Sequence, residues 1–95
     1  RLVTIGMNYR VLPGKGEVFQ NACQGVIRSM EQIEGHSKSF LYQDVNHQDS
    51  YLIVSEWENE EAFDAFIGSE KFRAVANWGK EKILAGRPQH QVYRH

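Results

Sequence analysis

The chain has 95 residues, of which 41% are hydrophobic and 24% are charged, as in an ordinary globular protein. Its formal net charge of −1 argues against a nucleic-acid partner, which usually requires a clustered basic excess. No apolar run approaches the roughly 20 residues of a membrane-spanning helix, so we expect no membrane partner and a single domain over residues 1–95.

The first half of the chain predicts a strand, a long helix and a hairpin. Residues 2–12 are rich in β-branched and aromatic side chains, which predicts a strand. The Pro and Gly residues of the sequence PGKG then predict a turn, and the segment lacks the spacing of a phosphate-binding loop. Over residues 17–34 the apolar positions recur at steps of one, three and four, which predicts a helix that Gly35 ends. Residues 36–45 and 51–57 predict two strands of an antiparallel hairpin.

Residues that are typical of helix starts divide the second half of the chain into two predicted helices. Asn59 is a favourable N-cap, and the acidic residues after it suit the positive end of a helix dipole. We therefore predict helices over residues 60–67 and 70–84, separated at Gly68, and a closing strand over residues 89–95. The order β-α-β-β-α-α-β predicts an α+β fold of the ferredoxin-like type, an antiparallel sheet with helices on one face.

Cysteine and histidine content limits the chemistry. Cys23 is the single cysteine, which excludes an internal disulfide and suits a reducing, cytoplasmic location. It lies in the apolar stripe of the first helix, so we expect a small buried hydrophobic residue rather than a nucleophile. The histidines have no paired ligand spacing, so we predict no metal site. They are His36, His47, His90 and His95.

Because the chain begins at Arg1, we expect that this is not the native start.

Two groups of residues leave two interpretations open. Asn8 and Arg10 interrupt an apolar strand, either on a half-solvated face or as a buried amide and a cation that orient a ligand. The aromatic residues of the second half form either the core or the walls of a pocket for a flat organic ligand. These aromatic residues are Trp57, Phe63, Phe66, Phe72 and Trp78.

Three segments carry a resemblance to a known family. They are "NYRVLPGKGEVF", "YLIVSEWENEEAFDAF" and "SEKFRA". Together they resemble the antibiotic biosynthesis monooxygenase domain over nearly the whole chain. The resemblance implies a dimeric α+β barrel, whose family includes cofactor-independent monooxygenases of polycyclic phenols or quinols, haem-degrading enzymes and an isomerase of a signalling sugar phosphate.

The resemblance also permits a test for haem. The haem-degrading branch uses an Asn on the first strand, which Asn8 matches, but Phe66 and Ala76 stand at the positions of its Trp and His. Haem iron requires an axial ligand. We therefore predict no haem and no other cofactor.

The resemblance implies roles for particular residues. Asn8 would hydrogen-bond the substrate oxygen, Arg10 would stabilise the developing anion, and His36 or His47 would accept a proton. The walls that contact the substrate ring would be Trp57, Phe66 and Phe72. We predict a cofactor-independent monooxygenase that acts on a phenol-type or quinol-type aromatic with O₂. The alternative is a non-catalytic ligand-binding or structural dimeric module.

Strand alternation predicts a partner. One face of the first strand carries Val3, Ile5, Met7, Tyr9 and Val11. The resemblance implies that Asn8 lines a cavity on the helix side, so we expect this apolar face to point away from the helices. A second copy of the chain would then cover it, giving a homodimer through the sheet.

Overall fold

A computed structural model describes residues 1–95 and contains four strands and three helices. In chain order they are β1 (Val3–Arg10), α1 (Gly16–Met30), β2 (His36–Gln43), β3 (Ser50–Trp57), α2 (Glu60–Ile67), α3 (Glu70–Lys82) and β4 (Gln89–Arg94). The strands form one sheet in the order β2-β3-β1-β4, and all neighbours are antiparallel. The predicted ferredoxin-like α+β fold is confirmed. None of the helices is long and apolar enough to cross a bilayer.

The buried apolar side chains form two clusters on the helix side of the sheet. The first, which we call the Trp57 cluster, consists of Val3, Ile5, Met30, Trp57, Phe63 and Phe66. The second, the Phe19 cluster, consists of Val11, Phe19, Cys23, Tyr51, Ile53 and Ile83. Cys23 is buried, as its place in the apolar stripe predicts.

The helices cover the sheet face that the sequence analysis assigned to a partner. Val3 and Ile5 are buried in the Trp57 cluster, and Val11 is buried in the Phe19 cluster. The expectation that this face points away from the helices is therefore wrong. The physical reason is that only these branched apolar side chains can fill the helix side without unpaired polar groups. Asn8 and Arg10 are exposed on the opposite, helix-free face.

The helix starts follow local capping chemistry. Asn59 accepts a hydrogen bond from the Ala62 backbone N–H at 2.8 Å, and Ser69 accepts one from the Phe72 backbone N–H at 3.2 Å. Each side chain satisfies one of the donors that a helix start leaves unpaired. The acids around Trp57 are thus part of a strand-to-helix junction.

Two helices end earlier than predicted. Helix α1 ends at Met30, because the next residues form tight turns in which the Ile33 N–H bonds the Met30 carbonyl. Helix α3 ends at Lys82, because the residues after it turn back to β1. There, the Leu12 N–H donates to the Ile83 carbonyl, and the adjoining backbone pairs with the end of β1. Tertiary pairing replaces the last helical turn in the second case.

Candidate functional site

A cavity of about 530 Å³ lies between the sheet and helices α1 and α3. Tyr9 and Ile53 come from the sheet, Phe19 and Cys23 come from α1, and Phe72 comes from α3. Helix α3 contributes no buried residue, so it covers this space without filling it. An apolar cavity with few polar groups is the usual form of a small-molecule site.

Tyr9 is the principal polar group inside the cavity. Strand alternation places it on the helix side, where its ring contacts Phe19 with a centroid separation of 5.3 Å. Its hydroxyl donates to the Met7 Sδ atom at 3.6 Å, a weak bond that a ligand oxygen can replace. Burial raises the pKa of Tyr9 far above its usual range, and the nearby Cys23 adds to this. Tyr9 is therefore a neutral hydrogen-bond donor.

Cys23 lies close to Tyr9 and also lines the cavity. Burial raises the pKa of its thiol to about 12, so the reactive thiolate is disfavoured at neutral pH. The cavity thus contains two protonated groups. Neither of them is suited to act as a general base.

Basic residues supply all the formal charge that lines this cavity. Lys80 and Arg87 are both exposed and line it from the C-terminal part of α3 and the following loop. No carboxylate is among the lining residues. A cavity with apolar walls and charge of one sign attracts ligands of the opposite charge. This arrangement favours an anionic ligand such as a phenolate.

A second cavity, of about 600 Å³, lies beside the first between α1 and α3. The two cavities have five residues in common. These residues are Ala22, Val26, Phe72, Val75 and Trp78. The two spaces therefore adjoin one another along these residues. The single charged residue that lines the second cavity is Lys71.

The residues predicted as ring-contacting walls have different positions. Phe72 lines both cavities and Phe66 lines the second. Trp57 lines neither, because it is fully buried in the Trp57 cluster, where its indole N–H donates to the Ser55 Oγ atom at 3.0 Å. Trp57 therefore packs in the core behind the lining, where its ring contacts Phe66 at 5.5 Å between centroids.

None of the predicted catalytic residues lines either cavity. Asn8 and Arg10 are on the helix-free face and line neither cavity. His36 begins β2, where its ring packs edge-on against Trp57 at 5.0 Å. His47 is exposed in the β2–β3 loop. Tyr9, Lys80 and Arg87 line the first cavity and were not predicted as site residues. For Tyr9 a signal was present in the strand. Its alternation with Val3, Ile5 and Val11 was the available signal.

Residues 2–78 match the family model described as Antibiotic biosynthesis monooxygenase. A protein from Natronomonas pharaonis, provisionally named as heme-binding, is 33% identical over 92% of this chain. The match covers 14% of that protein, so the chain spans a small part of this relative.

Solved structures share the fold. A conserved protein from Methanosarcina mazei has a TM-score of 0.89 at 24% identity, over 98% of this chain and 91% of its own. SnoaB, a cofactor-independent oxygenase from Streptomyces nogalater, has a TM-score of 0.86 at 16% identity, over 99% of this chain and 92% of its own. At these identities the similarity shows the fold alone.

Proposed function

The chain belongs to the antibiotic biosynthesis monooxygenase family, and from this premise we propose that it is a cofactor-independent monooxygenase acting on a phenol-type or quinol-type aromatic with O₂. The observation that carries the proposal is the apolar cavity with a neutral Tyr9 hydroxyl inside and Lys80 and Arg87 at its border. These features suit a flat, weakly acidic ring that reacts as its anion.

The reaction needs no external reductant, because the substrate itself reduces O₂. In an anthrone-type phenol, a ring CH₂ group loses a proton and the resulting carbanion transfers electrons to O₂. The net change is CH₂ + O₂ → C=O + H₂O, in which the carbon loses four electrons and O₂ accepts four. The first proton leaves to solvent, because Tyr9 and Cys23 are both protonated.

The chain's own residues would bind and polarise the substrate. The Tyr9 O–H would donate to the substrate oxyanion between apolar walls, where such a bond is more effective than in water. Lys80 and Arg87 would stabilise the anion from the border of the cavity. The roles of Asn8, Arg10 and His36 stay predictions. Since these three lie outside the cavity, the proposal assigns the donor role to Tyr9.

Oxygen uptake with a panel of anthrone-type and quinol-type substrates tests the proposal. Tyr9→Phe should lower turnover by at least tenfold, since loss of an oxyanion donor costs about 10²–10³ in known cases. Tyr42→Phe, which removes an exposed hydroxyl on the other sheet face, is the matched control and should retain activity. No oxygen uptake above the uncatalysed rate, despite ligand binding, would favour the non-catalytic binding module instead.

Haem is the second candidate, because a relative carries a heme-binding name. The cavity lining fits haem poorly. Ala76 lines it where the resemblance requires His, and the pKa values of Tyr9 and Cys23 are raised, which disfavours their anionic, iron-binding forms. We expect no stoichiometric haem binding. A Soret band that survives gel filtration with about one haem per chain would contradict this.

The helix-free sheet face supports the proposal of a homodimer. Phe40, Tyr42 and Tyr93 are about half exposed there, at 45%, 52% and 52%. In the strand register they are on the same face as Leu52 and Val54. A two-fold partner that presents the same face would bury these side chains. A cytoplasmic location likewise stays a prediction.

Sedimentation at micromolar concentration should therefore give about twice the chain mass of 11.0 kDa. Phe40→Lys should dissociate the dimer and leave each fold intact, because Phe40 is outside both core clusters. Ile5→Lys cannot make this distinction, since Ile5 is fully buried and the substitution would unfold the chain itself. A wild-type monomer at that concentration would contradict the dimer.

A further inference from the structure

The second cavity is an apolar groove that adjoins the first. Its two hydroxyl side chains are already bonded within the protein: Ser29 donates to the Val26 carbonyl at 2.7 Å, and Ser69 donates to the Phe66 carbonyl at 2.7 Å. The remaining lining is apolar apart from Lys71. The groove therefore presents hydrocarbon surface and few free polar groups to whatever occupies it.

We propose that the ligand carries, beyond its aromatic nucleus, an extended apolar arm of alkyl or isoprenoid type that lies in this groove. The inference rests on the proposed function, because it places the aromatic nucleus in the first cavity. Phe72 and Trp78 line both spaces, so the two adjoin, and a flexible arm on a ligand in the first cavity is within reach of the second. Burial of the arm gains the free energy of removing hydrocarbon from water.

The groove is long enough and open enough for such an arm. It follows α3 from Lys71 to Trp78, which spans roughly 10 Å at the rise of an α-helix. Small residues keep it open on both sides, Gly25 on α1 and Ala74 on α3. A Cβ atom added at Gly25 would have only the Arg28 Nη2 atom near it, at 4.0 Å, so this position accepts a larger side chain.

The experiment compares 1,4-naphthoquinones that carry no arm, a pentyl arm or a decyl arm. Dissociation constants are measured from quenching of tryptophan fluorescence, to which Trp78 contributes because it lines both cavities. Each fully buried CH₂ tightens binding by up to about fourfold, so the pentyl compound should bind roughly tenfold or more tightly than the unsubstituted ring. Oxygen uptake with the corresponding quinols is measured in parallel.

A variant pair separates the groove from general hydrophobic binding. Gly25→Phe should fill the groove and remove most of the gain that the arm provides. Ala65→Phe, at an exposed position of α2 outside both cavities, should retain that gain. Circular dichroism checks the fold of both variants. If Gly25→Phe is unfolded, Ala74→Phe replaces it, since Ala74 is exposed and lines only the second cavity.

Each outcome decides the proposal. Equal affinity for all three compounds, or a gain that survives in the groove-filling variant, would overturn the arm-binding groove. The proposed oxygenase would still stand if the protein raises oxygen uptake by the unsubstituted quinol above the uncatalysed rate. Failure of every compound to bind would overturn the aromatic site in the first cavity and the groove together.

Discussion

Helices α2 and α3 follow one another and begin with the same kind of cap, yet they meet the sheet in different ways. The shorter α2 buries Phe63 and Phe66. The longer α3 buries no residue and borders both cavities. A regular capped helix is thus no guide to packing density. In this fold the end under α2 is filled, and the end under α3 leaves room for a ligand.

Aromatic contacts fill the space between α2 and the sheet. The Trp57 ring packs against Phe63 at 5.8 Å and against Phe66 at 5.5 Å between centroids. Arg94 of β4 also makes a two-bond ion pair with Glu60 at the start of α2. We therefore expect substitutions near α2 to affect stability, and those near α3 to affect binding.

The largest expected difference is between the two tryptophans. Trp57→Ala should lower the free energy of unfolding by about 3–5 kcal/mol, because it removes a fully buried side chain. Trp78→Ala, the matched control at a position that is 40% exposed, should cost less than about 1 kcal/mol. Urea unfolding measures both. Equal losses would show that α3 is packed as firmly as α2.

Two glycines extend the comparison to the backbone. Gly35 has φ of 94°, and a Cβ atom there would lie 2.6 Å from the Ala62 Cβ atom of α2, so Gly35→Ala should destabilise by about 2 kcal/mol. Gly79 lies inside α3 with no neighbour closer than 4.0 Å to an added Cβ. Gly79→Ala should stabilise by about 0.5–1 kcal/mol. Thermal unfolding measures the loss of stability expected for Gly35→Ala and the gain expected for Gly79→Ala. A loss of stability in Gly79→Ala would contradict the loose packing of α3.

Alkaline pH should lower the free energy of unfolding through Cys23, which lines the first cavity. The pKa of Cys23 rises from 9.0 to about 12 on folding, so its contribution is full below pH 9 and is lost as pH rises toward 12. Between pH 9 and 10 the loss should be about 1 kcal/mol. The raised pKa of Tyr9 adds to the loss mainly above pH 10. Cys23→Ala should remove most of the slope of stability between pH 9 and 10, and an unchanged slope in this variant would contradict the assignment.

Acid pH should lower the free energy of unfolding through His36, whose ring packs against Trp57. We expect this to be the smallest of the four effects on stability. Burial lowers the pKa of His36 below 6.5, and the opposing effects of backbone bonds and Glu31 are weaker. The contribution of neutral His36 to the free energy of unfolding is therefore complete above pH 6.5 and is lost as pH falls through the lowered pKa. Stability measured from pH 7 to 5.5 should decline less in His36→Gln than in the wild type. A steeper decline in the variant would reverse the sign.

Much of the architecture was predictable because it depends on neighbouring residues. Capping at Asn59, the turn at Gly35 and the broken second helix at Gly68 are local effects. The candidate site was less predictable. Phe72 was expected in the walls and lines both cavities, whereas Tyr9 was missed because its strand face was assigned to a partner.

The sequence by itself determined which residues share a strand face, because alternate side chains of a strand point to opposite sides. It could not decide which face meets the helices. Strand β3 has apolar residues on both sides, with Tyr51 and Ile53 on one and Leu52 and Val54 on the other. Only the tertiary structure resolved this, since burial depends on where α1 and α2 pack. The same docking left space under α3, so the cavity is a property of the assembled fold.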